Sequence, residues 1–368
     1  MNRHIGIWIW IFTFLIVGMG LVTLYSASHM NVRVTNKVFY DQLSCAVLGF
    51  IMMFLLSRID YRKFYDIAYI FYGLNVVLLI LVMVSGRHAL GAQRWMEIGG
   101  LSFQPSEFAK LSIILALGRY FSEHKPKVSF DFKNTTNVLF RDLVGPLLLT
   151  LFPMLLIFKQ PDLGTAILFF GIFMVMLFAS GIRYRYFVSF ILLCLMALPF
   201  AWQILKPYQK DRLLVFMNPN IDPLGAGYTI IQSRIAIGSG QLFGKGWMAG
   251  TQNQLNFLPE RHTDFIFGVI GEEWGLAGTL FLLSCYFGLV YCGLKTADQV
   301  KDKFGTQVAI GVVAILALQV VINMGMTLGI FPVVGITLPL VSYGRSSFMI
   351  FIIMIGFLLN LSRKRTVF

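Results

Sequence analysis

The sequence predicts an all-α, polytopic integral membrane protein of about ten transmembrane helices with one large extracytoplasmic loop. Three observations predict it. Of 368 residues, 57% are hydrophobic and only 13% charged, against roughly 25% charged in a soluble domain. A chain so poor in charge cannot cover itself with polar surface, so its outer solvent must be lipid. Apolar runs long enough to cross a hydrocarbon core of about 30 Å recur along its length. Basic residues crowd alternate connections, as a membrane topology requires.

The spans fall near 8–26, 39–57, 67–84, 106–121, 143–158, 163–180, 187–204, 267–293, 307–329 and 346–361. The first run lacks a small-residue cleavage site, which argues against a removable signal peptide. With the N-terminus in the cytoplasm, the cytoplasmic segments carry Arg3, Arg58, Arg62, Lys63, Arg119, Lys125, Lys127, Lys133, Arg141, Arg183, Arg185, Lys295, Lys301, Lys303, Arg363, Lys364 and Arg365. The short external loops carry only Arg33, Lys37, Arg87, Arg94, Lys159 and Arg345. Both termini are therefore expected inside. The net charge of +13 is mostly a topology signal, and no nucleic acid is expected as a partner. Cys45, Cys194, Cys285 and Cys292 all lie in apolar runs without metal-ligand spacing and read as small apolar helix residues.

Residues 205–266 form a connection far longer than the roughly 12–15 residues beyond which a loop is usually functional or disordered. It mixes charged residues with Leu213, Phe216, Tyr228, Trp247 and Phe257. A folded element half-buried in the interface is expected. No repeat, low-complexity tract or soluble domain is visible, so residues 1–368 read as one membrane domain containing that loop.

Candidate chemistry gathers at the external ends of the spans. Glu107 and Lys110 are three apart and share a helix face; they read equally as a structural ion pair or as a charged wall of a substrate cavity. Asp162 follows Gln160-Pro161 and either caps the next helix or pairs with Lys110 or Arg94. Asp264 stands where the long loop meets the eighth span. It, or Thr263, could cap that helix; alternatively Asp264 is a half-buried general base at the mouth of a cavity. Lys210, Arg212, Arg234, Lys245 and Arg261 share the loop with Glu260 and His262. These cations could neutralise a pyrophosphate or attract anionic lipid headgroups. His262 has no His or Cys near it in sequence, so metal ligation by it is not expected. No Walker A sequence is present, so ATP hydrolysis is not expected.

The motifs Gly91-Ala-Gln-Arg-Trp95, Gln104-Pro-Ser-Glu107, Gln160-Pro-Asp162-Leu-Gly-Thr165, Asn218-Pro-Asn-Ile-Asp222-Pro, Ile235-Ala-Ile-Gly-Ser-Gly240, Phe257-Leu-Pro-Glu-Arg-His-Thr-Asp264-Phe-Ile-Phe267, Asn323-Met-Gly-Met326, Pro332-Val-Val-Gly335 and Ser342-Tyr-Gly344 run in order from the third span to the last. With them the chain resembles the SEDS family (shape, elongation, division, sporulation). Gly250-Thr-Gln252 favours the elongation branch over the division branch. One departure is visible: Arg345 stands where the family commonly has Gly.

The resemblance implies a peptidoglycan glycosyltransferase in the bacterial cytoplasmic (inner) membrane. Its substrate would be lipid II, an undecaprenyl-pyrophosphate disaccharide-pentapeptide. Its partners would be a class B penicillin-binding protein and an elongation machinery including MreC and MreD. Asp264 maps to the family's essential acid, and Glu107 and Lys110 to its membrane pair. With the residues nominated above from position and charge, the cavity set comprises Arg94, Glu107, Lys110, Asp162, Arg212, Arg234, Lys245, Glu260, Arg261 and His262. No cofactor is identified; a divalent cation, Mg or Mn, could assist the basic residues at the pyrophosphate. The rivals are a lipid II flippase and a non-catalytic scaffold. A flippase predicts charge through the full depth of the bundle, whereas the candidate groups here gather in its outer half.

Overall fold

The computed structural model describes residues 3–28, 32–89, 92–98, 101–124, 143–182, 184–205, 207–223 and 225–363. Lys125, Lys127, Lys133, Arg141, Arg183, Lys364, Arg365 and Gly91, used above, lie outside the described residues, as do the side chains of Arg3, Arg33 and Arg87.

A helix occupies each of the ten expected spans. In chain order these are α1 (Arg3–Ser28), α2 (Val32–Leu56), α3 (Arg62–Ser85), α4 (Pro105–Glu123), α5 (Gly145–Lys159), α6 (Leu163–Ala179) and α7 (Tyr184–Ile204). After the long loop come α11 (Ile266–Gln299), α12 (Lys303–Thr327) and α13 (Arg345–Arg363). Six of the ten, α1, α2, α3, α11, α12 and α13, are long and apolar enough to cross a membrane by length and composition. The loop is itself helical, with α8 (Pro207–Met217), α9 (Ala226–Ser239) and the single turn α10 (Thr251–Gln254).

Local chemistry sets several boundaries. Pro105 opens α4, where its missing N–H costs nothing. Asp162 caps α6 by accepting the Thr165 amide at 3.2 Å, and Asp302 caps α12 through the Gly305 amide at 2.7 Å. α12 lies at the centre, packed on α4, α6, α11 and α13, while α13 packs on α2. The outer helices turn Phe14, Ile70 and Val84 outward, with Ile70 72% exposed. In water that belt would be untenable; against acyl chains it is the expected surface of a multi-pass membrane protein.

Two features depart from the sequence expectation. The connection between α3 and α4 is a small antiparallel sheet, β1 (Arg87–Ala89), β2 (Ala92–Ile98) and β3 (Leu101–Phe103), in the order β1-β2-β3. Two of its strands have only three residues, too few to show an alternating pattern.

The second departure is a break in α11, expected as one continuous span. Gly275 has φ 63° and ψ −158°, which interrupts the i to i−4 ladder around it. The loop supplies the missing partners. The carbonyls of Glu272 and Glu273 accept from the amides of Lys245 (3.0 Å) and Gly246 (3.1 Å). The amides of Leu276 and Ala277 donate to the carbonyls of Gln241 (2.8 Å) and Leu242 (3.0 Å). Backbone groups inside a bilayer must be satisfied by the protein itself, and this splice satisfies them. Glycine is required at the break: the positive φ disfavours any side chain, and a β-carbon there would lie 2.4 Å from the Gly244 nitrogen.

Candidate active site

Asp264 sits in the turn before α11, and its backbone is tied down on successive residues. The Asp264 carbonyl accepts from Asn323 Nδ2 at 2.9 Å, and the same amide donates to the Ile336 carbonyl at 2.6 Å. The Thr263 carbonyl accepts from Ser342 Oγ at 2.5 Å. The His262 carbonyl accepts from the Tyr343 amide at 2.9 Å. The turn is thereby stapled to α12 and to the irregular segment between α12 and α13. That segment passes close beneath the carboxylate: Gly335 has φ +69°, and a β-carbon on it would be 3.6 Å from Asp264 Oδ2. A larger residue would strain the backbone and crowd the acid.

The Asp264 side chain does not cap α11. The cap position is Phe265, with no side-chain cap hydrogen bond. The capping alternative is therefore set aside, because Asp264 lies one residue too early and its carbonyl, not its carboxylate, is engaged.

Burial pushes the Asp264 carboxyl up to about 6. Glu260 adds to the rise, with a smaller contribution from Asp162, while Arg212 and Arg94 oppose it. Five of the nominated residues thus share one electrostatic field. Glu260 is exposed, adopts a left-handed φ of 48° and accepts from Thr263 Oγ1 at 3.0 Å. Arg94, on β2, donates through Nε to the Gln160 carbonyl at 2.8 Å and through Nη2 to that of Pro161. It clamps the turn that presents Asp162. Arg212 is exposed on α8 and reaches the Val333 carbonyl at 3.4 Å. Burial lowers the His262 imidazole below its ordinary value, so it is neutral at pH 7.

The remaining nominated cations also have partners. Arg234 donates to the carbonyls of Leu328 (3.2 Å) and Gly329 (2.8 Å), closing the C-terminal end of α12. Lys245 pairs with Glu272 at 2.8 Å. Arg261 donates to the carbonyls of Ala27 (2.6 Å) and Asn253 (2.7 Å).

Glu107 and Lys110 face the bundle interior as a 2.7 Å ion pair, with residue exposures of 7% and 1%. Lys110 also donates to Gln319 Oε1 at 3.1 Å and lies 5.7 Å from the Phe351 ring centroid. Gln319 in turn donates to the Thr337 carbonyl at 2.9 Å. The pair therefore braces the segment whose neighbouring residues, Gly335 and Ile336, flank Asp264.

The family model of the FtsW, RodA and SpoVE cell cycle proteins matches residues 7–367. The chain belongs to this family. Within the FtsW/RodA/SpoVE family it is 40% identical over 345 residues to peptidoglycan glycosyltransferase MrdB of Escherichia coli K12, covering 94% of this chain and 90% of the relative. It is 31% identical to peptidoglycan glycosyltransferase RodA of Treponema pallidum, covering 95% of both chains. The RodA structure from Thermus thermophilus superposes with a TM-score of 0.71 at 32% identity, covering 98% of this chain and 97% of that one. A solved chain from work on structural coordination of polymerization and crosslinking by a peptidoglycan synthase complex superposes with a TM-score of 0.81 at 34% identity, covering 96% of each.

Two buried acids of this FtsW/RodA/SpoVE chain escaped the sequence reading: Glu272 and Glu273, 0% and 1% exposed. The signal was present. Adjacent acids inside an apolar run are expensive at membrane depth and mark an interior polar site.

Proposed function

We propose that the chain is a peptidoglycan glycosyltransferase that polymerises lipid II during cell elongation, with Asp264 as the general base. The observation that carries this reading is the state of Asp264. Its backbone is fixed by Asn323, Ser342 and Tyr343, its carboxyl is half-buried with a value near 6, and two arginines act on the same field. A base poised near working pH combines sufficient ionisation with sufficient proton affinity.

The acceptor's sugar 4-hydroxyl loses its proton to Asp264 as its oxygen attacks the anomeric carbon of the donor. The bond from that carbon to the pyrophosphate oxygen breaks, and the lipid pyrophosphate leaves with the electron pair. One displacement inverts the centre from α to β, so no covalent enzyme intermediate forms. Arg212 and Arg94, which both act on the field at Asp264, would offset charge on the leaving group. Among the described residues no three His, Cys, Asp or Glu side chains cluster closely enough to hold a metal ion. A Mg or Mn ion, if used, would be held largely by the substrate pyrophosphate with one or two carboxylates; the chain's own cations for charge stabilisation are the arginines.

The reading places the protein in the bacterial cytoplasmic (inner) membrane, with both termini inside and residues 205–266 outside, where lipid II is presented. A class B penicillin-binding protein would cross-link the product, within an elongation machinery including MreC and MreD. The test is gel-resolved glycan from purified lipid II, with that partner present. Asp264→Asn should fold and bind the partner yet lose about two or more orders of magnitude in product. Near-normal product would remove Asp264 from the mechanism and favour a scaffold or flippase.

A further inference from the structure

Glu272 and Glu273 form the core of a second polar cluster, away from the Asp264 carboxylate. The Glu272 carboxylate is saturated. Its Oε1 accepts from Lys245 Nζ (2.8 Å), Thr251 Oγ1 (3.2 Å) and the Gln252 amide (2.9 Å), and its Oε2 from the Asn253 amide (3.2 Å). Glu273 Oε1 accepts from Ser26 Oγ on α1 and from Asn253 Nδ2 at 3.1 Å. A buried carboxylate is tolerated only when paired and hydrogen-bonded, and here most of the donors come from one short turn.

That turn is α10. One turn of helix does not hold itself together in water or at an interface, so its place is set by what grips it. From α10 the chain leads straight to Asp264. The Gln252 carbonyl accepts the amides of Phe257 and Leu258 at 3.1 and 3.3 Å. The Asn253 carbonyl accepts Arg261 Nη1 at 2.7 Å, and Arg261 Nε reaches the Ala27 carbonyl of α1 at 2.6 Å. The Phe265 amide then returns to the Glu260 carbonyl at 3.2 Å. Glu272 grips α10, α10 grips Arg261, and Arg261 holds the turn that ends in Asp264.

We propose that Glu272 is a positioning residue of the glycosyl transfer: through Asn253 and Arg261 it sets where the Asp264 carboxylate stands against the acceptor hydroxyl. The role rests on Asp264 being the base. Glu272 does not touch substrate. Its effect is geometric, and misplacement of a reacting group by about 1 Å can cost on the order of a hundredfold in rate. Moving the turn also changes the field on Asp264, which faces Glu260 from its own turn, Asp162 at the start of α6, Arg94 from β2 and Arg212 from α8. Arg261 and His262 lie in the same turn. Glu272 itself faces Lys245 and neighbours Glu273.

The experiment compares wild type, Glu272→Gln, Lys245→Met, Lys245→Arg and Asp264→Asn, each purified with the penicillin-binding partner and assayed on lipid II across pH. Glu272→Gln keeps the shape but sets an amide group among donors. Its kcat should fall roughly tenfold or more with KM for lipid II changed by about twofold or less. The acid limb of its pH profile should move by about half a unit or more. Lys245→Met should show the same signature more weakly, and Lys245→Arg should restore it. Normal kcat in Glu272→Gln overturns the proposal. So does a fall in kcat fully matched by a smaller folded fraction with the acid limb unmoved. Where Glu272→Gln does not fold, Lys245→Met and Thr251→Val decide, since both alter exposed donors to the same carboxylate; unchanged kcat and acid limb in both overturn the role. Inactive Asp264→Asn beside normal Glu272→Gln overturns positioning alone, whereas active Asp264→Asn overturns the general-base reading and this one together.

Discussion

Glu107 and Asp264 are both acids set inward near the same irregular segment, yet the structure closes one and leaves the other open. Glu107 meets Lys110 at 2.7 Å, and Lys110 is anchored on Gln319. Glu107 Oε1 is engaged by that cation, while its buried Oε2 has no hydrogen-bond partner among the described residues. Asp264 is held through its carbonyl, and its carboxyl answers mainly to burial and to Glu260. A membrane bundle makes an acid structural by giving its carboxylate a partner. It makes an acid reactive by fixing the backbone and leaving the carboxylate for the ligand.

The largest effect that could break this contrast is on stability at the closed pair. Lys110→Met leaves Glu107 buried without its cation and should cost roughly 3–5 kcal/mol. The double variant Glu107→Gln with Lys110→Met should recover most of that loss, read by thermal unfolding in detergent. Full recovery of stability without recovery of glycan synthesis would instead make the pair part of the substrate site.

The open acid should behave in the opposite sense. The folded value of Asp264, about 6, lies above its ordinary 3.8, so ionising it opposes folding. That penalty is absent below about pH 4, grows through the interval to about 6 and is complete above it. Asp264→Asn should therefore melt higher than wild type at pH 8, with the gain gone near pH 4. Wild-type polymerisation should fall as pH drops through about 6. Equal melting temperatures across this range would mean that the carboxyl is solvated, and the contrast with Glu107 would vanish.

The smallest effect concerns Arg345. Its guanidinium donates to Ser102 Oγ at 2.9 Å, tying β3 to the start of α13. Arg345→Gly loses that bond and loosens the first residue of the helix. A loss of about 1 kcal/mol is expected, with polymerisation changed by about twofold or less. A rise in melting temperature would show that the arginine crowds its site.

The spans were legible because uninterrupted apolar runs are what a bilayer selects. Asp264 was nominated because it lies within the dense motif from Phe257 to Phe267, which resembles the SEDS pattern. The partners of the cations were not, because they depend on chain crossings. Arg234 closes α12 from 94 residues away and Arg261 reaches α1 from 234 residues away. No local pattern records such a pairing. The break at Gly275 was hidden for a related reason: a lone glycine in an apolar run is ordinary, and only the loop laid against it reveals that the ladder is exchanged. Glu272 and Glu273 were different, since their charge was visible and only their partners were not.

The splice at Gly275 also governs which insertions and deletions the chain can bear. Four main-chain bonds hold residues 241–246 in register with residues 272–277. Adding one residue at Phe243 would slide that register and leave amides and carbonyls unpaired at membrane depth. A residue added at Asp222, in the exposed turn between α8 and α9, disturbs only the local turn in which the Gly225 and Gly227 amides donate to Asp222, so it should cost less than the insertion at Phe243. Comparing membrane yield of the two insertion variants separates the cases. Through that stretch the main-chain bonds constrain spacing, whereas exposed Leu242 and Phe243 should accept other apolar side chains.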